Sequence, residues 1–248
     1  MEKIKKLTNI LLRLNEGSEV NSFDYDDRKF LADLSSRDIA IAQQNVLSSG
    51  VPASDLWRIW DRNRSILPDQ AAKLRTELPD NHVLQKALAE HAMLLCFIAD
   101  LNDVTSRIKM MTYASSTNSE IRKLAHIAEH LVKTEQHCER EDYIIFPELK
   151  RRGYRQLLNI VNEQHRQIVE RQRSLKELVW MVDRTDFTDF RTQLTDVSDY
   201  LVIAVRLHIF IENNIVFPLA LEVISEKNIW EKMKDICDEI GYCGCNCS

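Results

Sequence analysis

Four long stretches of helical periodicity occupy residues 80–225 and constrain the fold more than any other feature of the sequence. Within each stretch, apolar residues recur every three to four positions, as they do on the buried face of an α-helix. The stretches run over about 81–113, 119–152, 154–182 and 187–223, and short polar turns join them. Short connections force neighbouring helices to be antiparallel. The pattern therefore predicts an all-α, up-down-up-down four-helix bundle.

The composition agrees with a helical fold. The chain has 5 Gly and 5 Pro in 248 residues, about 4% against roughly 12% in average proteins, which argues against sandwiches, propellers, collagen-like and low-complexity chains. A net charge of −5 gives no reason to expect a nucleic acid or an anionic membrane as partner. The longest apolar run, 92–99, is far shorter than the roughly 20 residues that span a bilayer. We expect a cytoplasmic protein without a transmembrane helix.

The first 67 residues predict a small helical domain before the bundle. Helical patterns cover residues 4–14, 24–34, 36–50 and 52–67, with Ser36 as the expected N-cap of the third helix. The segment contains no recognisable group of catalytic residues, so its function stays open.

One histidine lies in the apolar stripe of each long helix; the four are His91, His137, His165 and His208. Side chains three, four and seven positions apart share a helix face, so these imidazoles point with their apolar neighbours toward the bundle axis. A single histidine on such a face is more often a core residue than a ligand. Four of them, one from each helix, indicate a shared site.

Two of these histidines are followed four residues later by a glutamate, which gives the pairs His137–Glu141 and His208–Glu212. This spacing stacks two side chains with Cβ atoms roughly 5 to 6 Å apart, which suits two ligands of one metal or a bridge between two. An unpaired carboxylate facing a dry core costs several kcal/mol, so a cation is expected there. Four imidazoles and two carboxylates without a thiolate favour iron or manganese over structural zinc.

If both glutamates bridge two metals about 3.5 to 4 Å apart, each metal receives two imidazoles and two carboxylate oxygens. Octahedral ions would then keep further positions for water, dioxygen or nitric oxide. This differs from the ferritin-like plan, in which Glu-x-x-His pairs supply the inward ligands.

Residues 137–149, HCEREDYIIFPEL, resemble the signature of the hemerythrin-like HHE cation-binding family: a histidine, a glutamate four residues later and an aliphatic-Phe-Pro-x-Leu exit. A weaker form recurs over 208–219, and residues 162–166 and 90–91 resemble the ligand regions of the third and first helices. The N-terminal segment and residues 239–243 are similar to an uncharacterised subfamily that joins a small helical domain to such a bundle.

The resemblance implies a non-heme di-iron centre with two oxo- or hydroxo-bridged iron ions, or with manganese in their place. The ligands that it implies are His91, His137, Glu141, His165, His208 and Glu212. Oxygen carriers of the family have five histidines, whereas four fall into place here. A fifth is either lacking or is His130, which lies one heptad before His137. His126 is expected beside the site or on the surface, and His82 at the start of its helix.

Four functions remain open at this point. Relatives of this kind bind dioxygen, sense oxygen, iron or nitric oxide, or help to repair damaged iron–sulfur centres. The first hypothesis is therefore binding or sensing of a gas, the second is an iron-handling repair factor, and the third is a di-iron oxidoreductase or peroxidase. The fourth is a helical interaction module whose histidines only fill the core.

Residues 226–248 predict a short helix followed by a cysteine-rich tail with Cys243, Cys245 and Cys247. The distribution of cysteines cannot staple the fold and indicates reduced thiols. The close spacing in the tail suits a soft-metal chelate, a reversible disulfide or a contact with a redox or iron–sulfur partner, unless the thiols are adventitious. Cys138 points about 100° away from His137 around the helix, so we expect it to pack rather than to ligate.

Overall fold

The computed structural model describes residues 2–18, 25–64 and 70–242, and the regular secondary structure in these ranges is entirely helical. The three tail cysteines lie outside the described residues, and so does the end of the fourth predicted helix at 65–67.

Short helices precede the bundle. The four that the sequence predicted are α1 (Glu2–Asn15), α2 (Tyr25–Ala32), α3 (Ser36–Ser48) and α4 (Ala53–Arg62), and α5 (Gln70–Glu77) was not predicted. The prediction of Ser36 as the N-cap of α3 was wrong by one residue. The Ser35 hydroxyl accepts a hydrogen bond from the Asp38 amide (3.1 Å), and the Ser35 amide donates to the Asp38 carboxylate (3.3 Å). Ser35 is the N-cap because Asp38, three positions later, completes this reciprocal pair of hydrogen bonds.

Four antiparallel rods form the bundle, which confirms the predicted fold class. Their helices are α6 (Val83–Lys109), α7 (Ser119–Lys133), α8 (Glu135–Arg140), α9 (Phe146–Arg151), α10 (Arg155–Trp180), α11 (Phe187–Ile211) and α12 (Phe217–Val223). The first rod is α6, the second runs from α7 to α9, the third is α10, and the fourth joins α11 to α12. Helices α6 and α10 each pack against both α7 and α11, as neighbours in a closed bundle do.

The second and fourth rods each widen into one π-helical segment, Glu141–Ile145 and Glu212–Val216. A proline follows shortly after each segment, Pro147 at the start of α9 and Pro218 at the start of α12. Proline lacks an N–H and its ring clashes with the carbonyl four residues earlier, so a regular α-helix cannot continue through it unchanged. The extra residue of a π turn accommodates this conflict. Both π segments begin at the predicted ligand glutamates.

The hydrophobic core continues from the N-terminal helices into the near end of the bundle. Leu11 and Trp60 belong to the same buried cluster as Phe217 and Leu219 of the fourth rod. A second buried cluster fills the far half of the bundle. Helix α13 (Lys227–Ile240) then packs back against α6 and α8. The boundaries that divide the chain into domains at 1–67, 80–225 and 226–248 stay a prediction.

Within the described part of the chain, residues 187–223 form the one helical stretch long and apolar enough to cross a bilayer. The fold buries 67% of the most apolar window of this stretch, as expected for a helix that packs in a bundle. The structure therefore gives no indication of a membrane protein.

Candidate metal centre

The structure brings all six predicted ligand side chains together inside the bundle, and each is at most 5% exposed. Each rod contributes one histidine, and the two π segments contribute the glutamates at their first positions. The six are His91, His137, Glu141, His165, His208 and Glu212.

The donor atoms divide into two groups that share both glutamates. One group joins His91 and His137 to Glu141 and Glu212, the other joins His165 and His208 to the same pair, and the donor atoms within each group lie within 4.8 Å of one another. Glu141 Oε2 lies 3.3 Å from Nε2 of both His137 and His165. Such an arrangement presents two neighbouring four-donor positions with two carboxylates between them.

Buried donor atoms at the centre lack hydrogen-bond partners within the protein. Both carboxylate oxygens of Glu141 and of Glu212 are in this state, as are Nε2 of His165 and His208. Leaving a buried polar group without a partner costs about 1 to 3 kcal/mol, and more for a charged one. A cluster of such atoms at the centre of the bundle fits bound cations, whose positive charge would satisfy them together.

A residue from outside the cluster accepts a hydrogen bond from Nδ1 of each imidazole. His91 donates to Asn213 (2.7 Å) and His208 to Gln164 (3.1 Å). The other two imidazoles donate to carboxylates, His137 to Glu90 (2.8 Å) and His165 to Asp142 (2.7 Å). These bonds place the ring proton on Nδ1 and leave the Nε2 lone pair facing inward, as metal ligation requires.

Two Nε2 atoms, those of His91 and His137, lie only 2.9 Å apart. When both rings carry their protons on Nδ1, the two lone pairs face each other and repel. A cation between the rings and the glutamates would convert this repulsion into shared ligation.

The four residues that accept from Nδ1, here called the outer acceptors, follow a pattern that occurs twice in the bundle. The residue before the single histidine of one rod accepts from the His-x-x-x-Glu histidine of the next rod: Glu90 serves His137, and Gln164 serves His208. The residue after each glutamate serves the remaining histidine: Asp142 serves His165, and Asn213 serves His91. Each of the two donor groups is therefore supported by one carboxylate and one amide.

A phenylalanine from each Phe-Pro motif stacks on one imidazole in the same repeated fashion. Phe217 lies 5.3 Å from the His91 ring at an interplanar angle of 4°, and Phe146 lies 5.7 Å from the His165 ring at 10°. The aromatic faces hold these two rings in the orientation that their hydrogen bonds select.

Glu90 links the centre to the C-terminal segment. Its carboxylate accepts from His137 and forms a buried salt bridge with Arg140, and Arg140 Nη1 donates to the carbonyl of Gly241 (2.6 Å). The guanidinium also lies over the Tyr242 ring, 4.9 Å from its centroid. Burial raises the pKa of Glu90, but the hydrogen bonds and charges of His137 and Arg140 outweigh it and hold this pKa at about 2. Glu90 is thus ionised at neutral pH.

The acidic surroundings act differently on the imidazoles. Burial disfavours the charged ring of His137, yet the charges of Glu141 and Glu90 raise its pKa above the ordinary value. Burial likewise opposes protonation of His165, whose pKa is nevertheless well above the ordinary value, in part through its hydrogen bond with Asp142. Burial dominates at His208 and lowers its pKa. The negative charge that favours protonation of His137 and His165 also attracts a metal cation.

Three other histidines lie outside the two donor groups. His130 is half-buried and stacks on Phe97 with centroids 4.8 Å apart, so the structure does not place it with the four central imidazoles. His126 is exposed beside it. His82 caps α6, because its Nδ1 accepts from the Leu84 amide (3.2 Å), as expected for the start of that helix.

The outer acceptors Glu90, Asp142, Gln164 and Asn213 were not predicted from the sequence as supporting residues. Each stands next to a predicted ligand in the chain, which is the one signal that could have identified them. This signal does not identify the hydrogen-bond partner, because each of these residues accepts from a histidine on a rod other than its own.

Comparison with known proteins agrees with the geometry of the site. Residues 82–220 match the family model of the hemerythrin HHE cation-binding domain, a stretch that contains the first three rods, the fourth as far as Ala220 and all six central residues. No curated protein matches the chain. Because the matched stretch spans more than half of the sequence, the chain belongs to the hemerythrin HHE cation-binding domain family.

Proposed function

We propose that this protein is a non-heme di-iron protein that binds or senses dioxygen or nitric oxide. In this proposal His91 and His137 hold one iron, His165 and His208 hold the other, and Glu141 and Glu212 bridge them. The sharing of both glutamates by two buried donor groups carries the proposal, because a mononuclear site would use only one group.

The donor set favours iron, with manganese as the second choice. Imidazole and carboxylate suit both metals, and neither donor group contains a thiolate such as those common in structural zinc sites. Four protein donors at each position leave room for an external ligand on an octahedral ion. Iron held in this way would supply reversible binding of a diatomic gas.

The surrounding residues have defined roles in this function. The acceptors on Nδ1 orient the imidazoles and make their Nε2 atoms electron-rich, and such partners commonly change metal affinity by 10- to 100-fold. The nearly complete burial of the six central side chains keeps bulk water away from the bound gas. Cys96, Cys138 and Cys237 are free thiols, which supports a cytoplasmic location, where thiols stay reduced.

The C-terminal segment supports a second candidate, iron handling for damaged iron–sulfur centres. Gly241 and Tyr242 contact Arg140, whose partner Glu90 bonds His137, and the sequence Cys243, Cys245, Cys247 follows directly. The described part of the chain thus ends, at Tyr242, in contact with a residue that supports His137 through Glu90. A redox or iron–sulfur protein would be the partner in that case.

Metal quantification of protein purified anaerobically tests the proposal. We expect about two irons per chain and, once the iron is oxidised in air, a near-ultraviolet absorption from the bridged centre. His137→Ala should lose most of the iron, and His130→Ala, on the same rod but outside the donor groups, is the matched control that should keep it. Fewer than about one iron or manganese per chain in the wild-type protein would overturn the proposal and favour a purely structural histidine cluster.

Exposure of the reduced protein to nitric oxide, and separately to dioxygen, distinguishes the candidates. Gas binding predicts a change in the absorption spectrum on addition and its reversal on removal. Deletion of residues 243–248 should leave this change intact. A fully iron-loaded protein whose spectrum responds to neither gas would contradict gas binding. Loss of cluster-repair activity after the deletion would favour iron handling.

A further inference from the structure

We propose that the two metal positions differ in access: the His165–His208 position exchanges its metal through a cleft beside Cys138, whereas Arg140 seals the His91–His137 position. This inference rests on the dinuclear site proposed above. It assigns the cleft as the route of a divalent cation and distinguishes two positions that have the same number of protein donors.

The cleft lies between the second rod and α10 and has a volume of about 700 Å³. Among the six central residues, His165 is the one that lines it, together with Cys138, Asp142 and Val169. The unpartnered Nε2 of His165 belongs to the His165–His208 position. His165 therefore forms a wall that the cleft shares with this position.

The charge of the cleft favours a cation. Five carboxylates and two guanidinium groups line it. The carboxylates are those of Glu135, Glu139, Asp142, Glu170 and Glu177. Both guanidinium groups are engaged by glutamates, Arg173 with Glu135 (2.5 Å) and Arg166 with Glu163. A concave surface with excess negative charge raises the local concentration of a divalent cation.

The outer acceptors show the same difference between the two positions. Those of the His165–His208 position, Asp142 and Gln164, are partly exposed, and the Asp142 side chain keeps 22% of its accessible surface. Those of the His91–His137 position are buried, with Glu90 at 2% and Asn213 at 6%. Solvent therefore contacts the acceptors of the His165–His208 position more than those of the His91–His137 position.

Arg140 covers the outer side of Glu90, one of the two buried acceptors. Arg140 is 3% exposed, and its guanidinium pairs with Glu90 and contacts the carbonyl of Gly241 and the ring of Tyr242. A metal that left His137 on the side of Glu90 would have to pass Arg140, so the arginine would have to move. We therefore expect slow exchange at the His91–His137 position.

The test is the rate at which an excess of a colorimetric Fe²⁺ chelator removes iron from the loaded full-length protein under anaerobic conditions. We expect two phases of about equal amplitude, with rates that differ by about tenfold or more, the size of effect that outer partners commonly have. Val169→Phe, which narrows the cleft, should slow the fast phase several-fold and leave the slow phase unchanged. Cys138→Phe narrows it from the opposite wall and serves if the first variant does not fold.

The opposite effect is expected when the seal is opened. Arg140→Gln should accelerate the slow phase by about tenfold and leave the fast phase unchanged. Tyr242→Ala should act in the same direction more weakly, and it leaves the Glu90–Arg140 pair in place. Thr192→Phe is the control, because Thr192 is exposed and lines a different cavity in the N-terminal half of α11.

The outcomes separate the two proposals. A wild-type protein that binds about two irons but releases them in one phase, or variants that alter both phases equally, would overturn the assignment of access and leave the dinuclear site standing. A protein that binds fewer than about one iron would instead remove the dinuclear site on which the assignment rests.

Discussion

The buried pair of Glu90 and Arg140 allows a quantitative prediction about stability. Arg140→Gln removes the cation that faces a carboxylate only 2% exposed and ionised at neutral pH. Removal of one partner of a buried pair costs about 3 to 5 kcal/mol, because the remaining charge stays buried without compensation. Because His137 still donates to Glu90, we expect the free energy of unfolding to fall by about 3 kcal/mol and the melting temperature by about 10 °C.

Urea unfolding of the metal-free protein at neutral pH, followed by circular dichroism, measures this loss. The double variant Arg140→Gln, Glu90→Gln should recover most of it, since a neutral amide can still accept from His137 without burying a charge. Arg166→Gln is the matched control, because its ion pair with Glu163 is exposed and should contribute nothing measurable. A loss below about 1 kcal/mol for the single variant, or no recovery in the double variant, would refute the reasoning.

Four further predictions concern the centre and the N-terminal helices. Glu141→Gln should lower the occupancy of both metals, whereas His165→Ala should mainly lower one, because Glu141 belongs to both donor groups; metal quantification distinguishes the two. Apparent metal affinity should fall as pH decreases, because the raised pKa of His137 makes protons stronger competitors; metal titrations from about pH 8 to about pH 6 would show it. In the metal-free protein the same raised pKa stabilises the fold below the ordinary value of 6.5, and this contribution is lost as pH rises through the raised pKa. Ser35→Ala should lower the free energy of unfolding by about 1 kcal/mol, as measured in urea, whereas Ser36→Ala should leave it unchanged.

Much of the architecture could be predicted because it depends on local periodicity. Apolar residues at helical spacing determine which face of each rod is buried, and short polar turns determine that the rods alternate in direction. The π segments were not predicted, although both prolines were visible in the sequence. A proline can end a helix, kink it or follow a π turn, and only the packing of the rod on both sides favours continuation.

The candidate site shows the same division at the level of side chains. The spacing of His137 and Glu141 within one helix places them on one face whatever the neighbouring rods do. The role of Arg140 has no such local cause, since its partners Glu90 and Gly241 are 50 and 101 residues away in the chain. The ligand roles of the six central residues stay proposals that metal analysis will test.

The sequence alone determined the helical periods, the one inward-facing histidine on each rod and the two His-x-x-x-Glu pairs, because all of these follow from the geometry of a single helix. Only the tertiary structure decided that His91 pairs with His137 and His165 with His208, that Asn213 and Gln164 reach across to other rods, and that one pair borders a cleft. The rotation and stagger of one rod against another are set by how side chains interlock over the whole interface, and no short stretch of sequence specifies them.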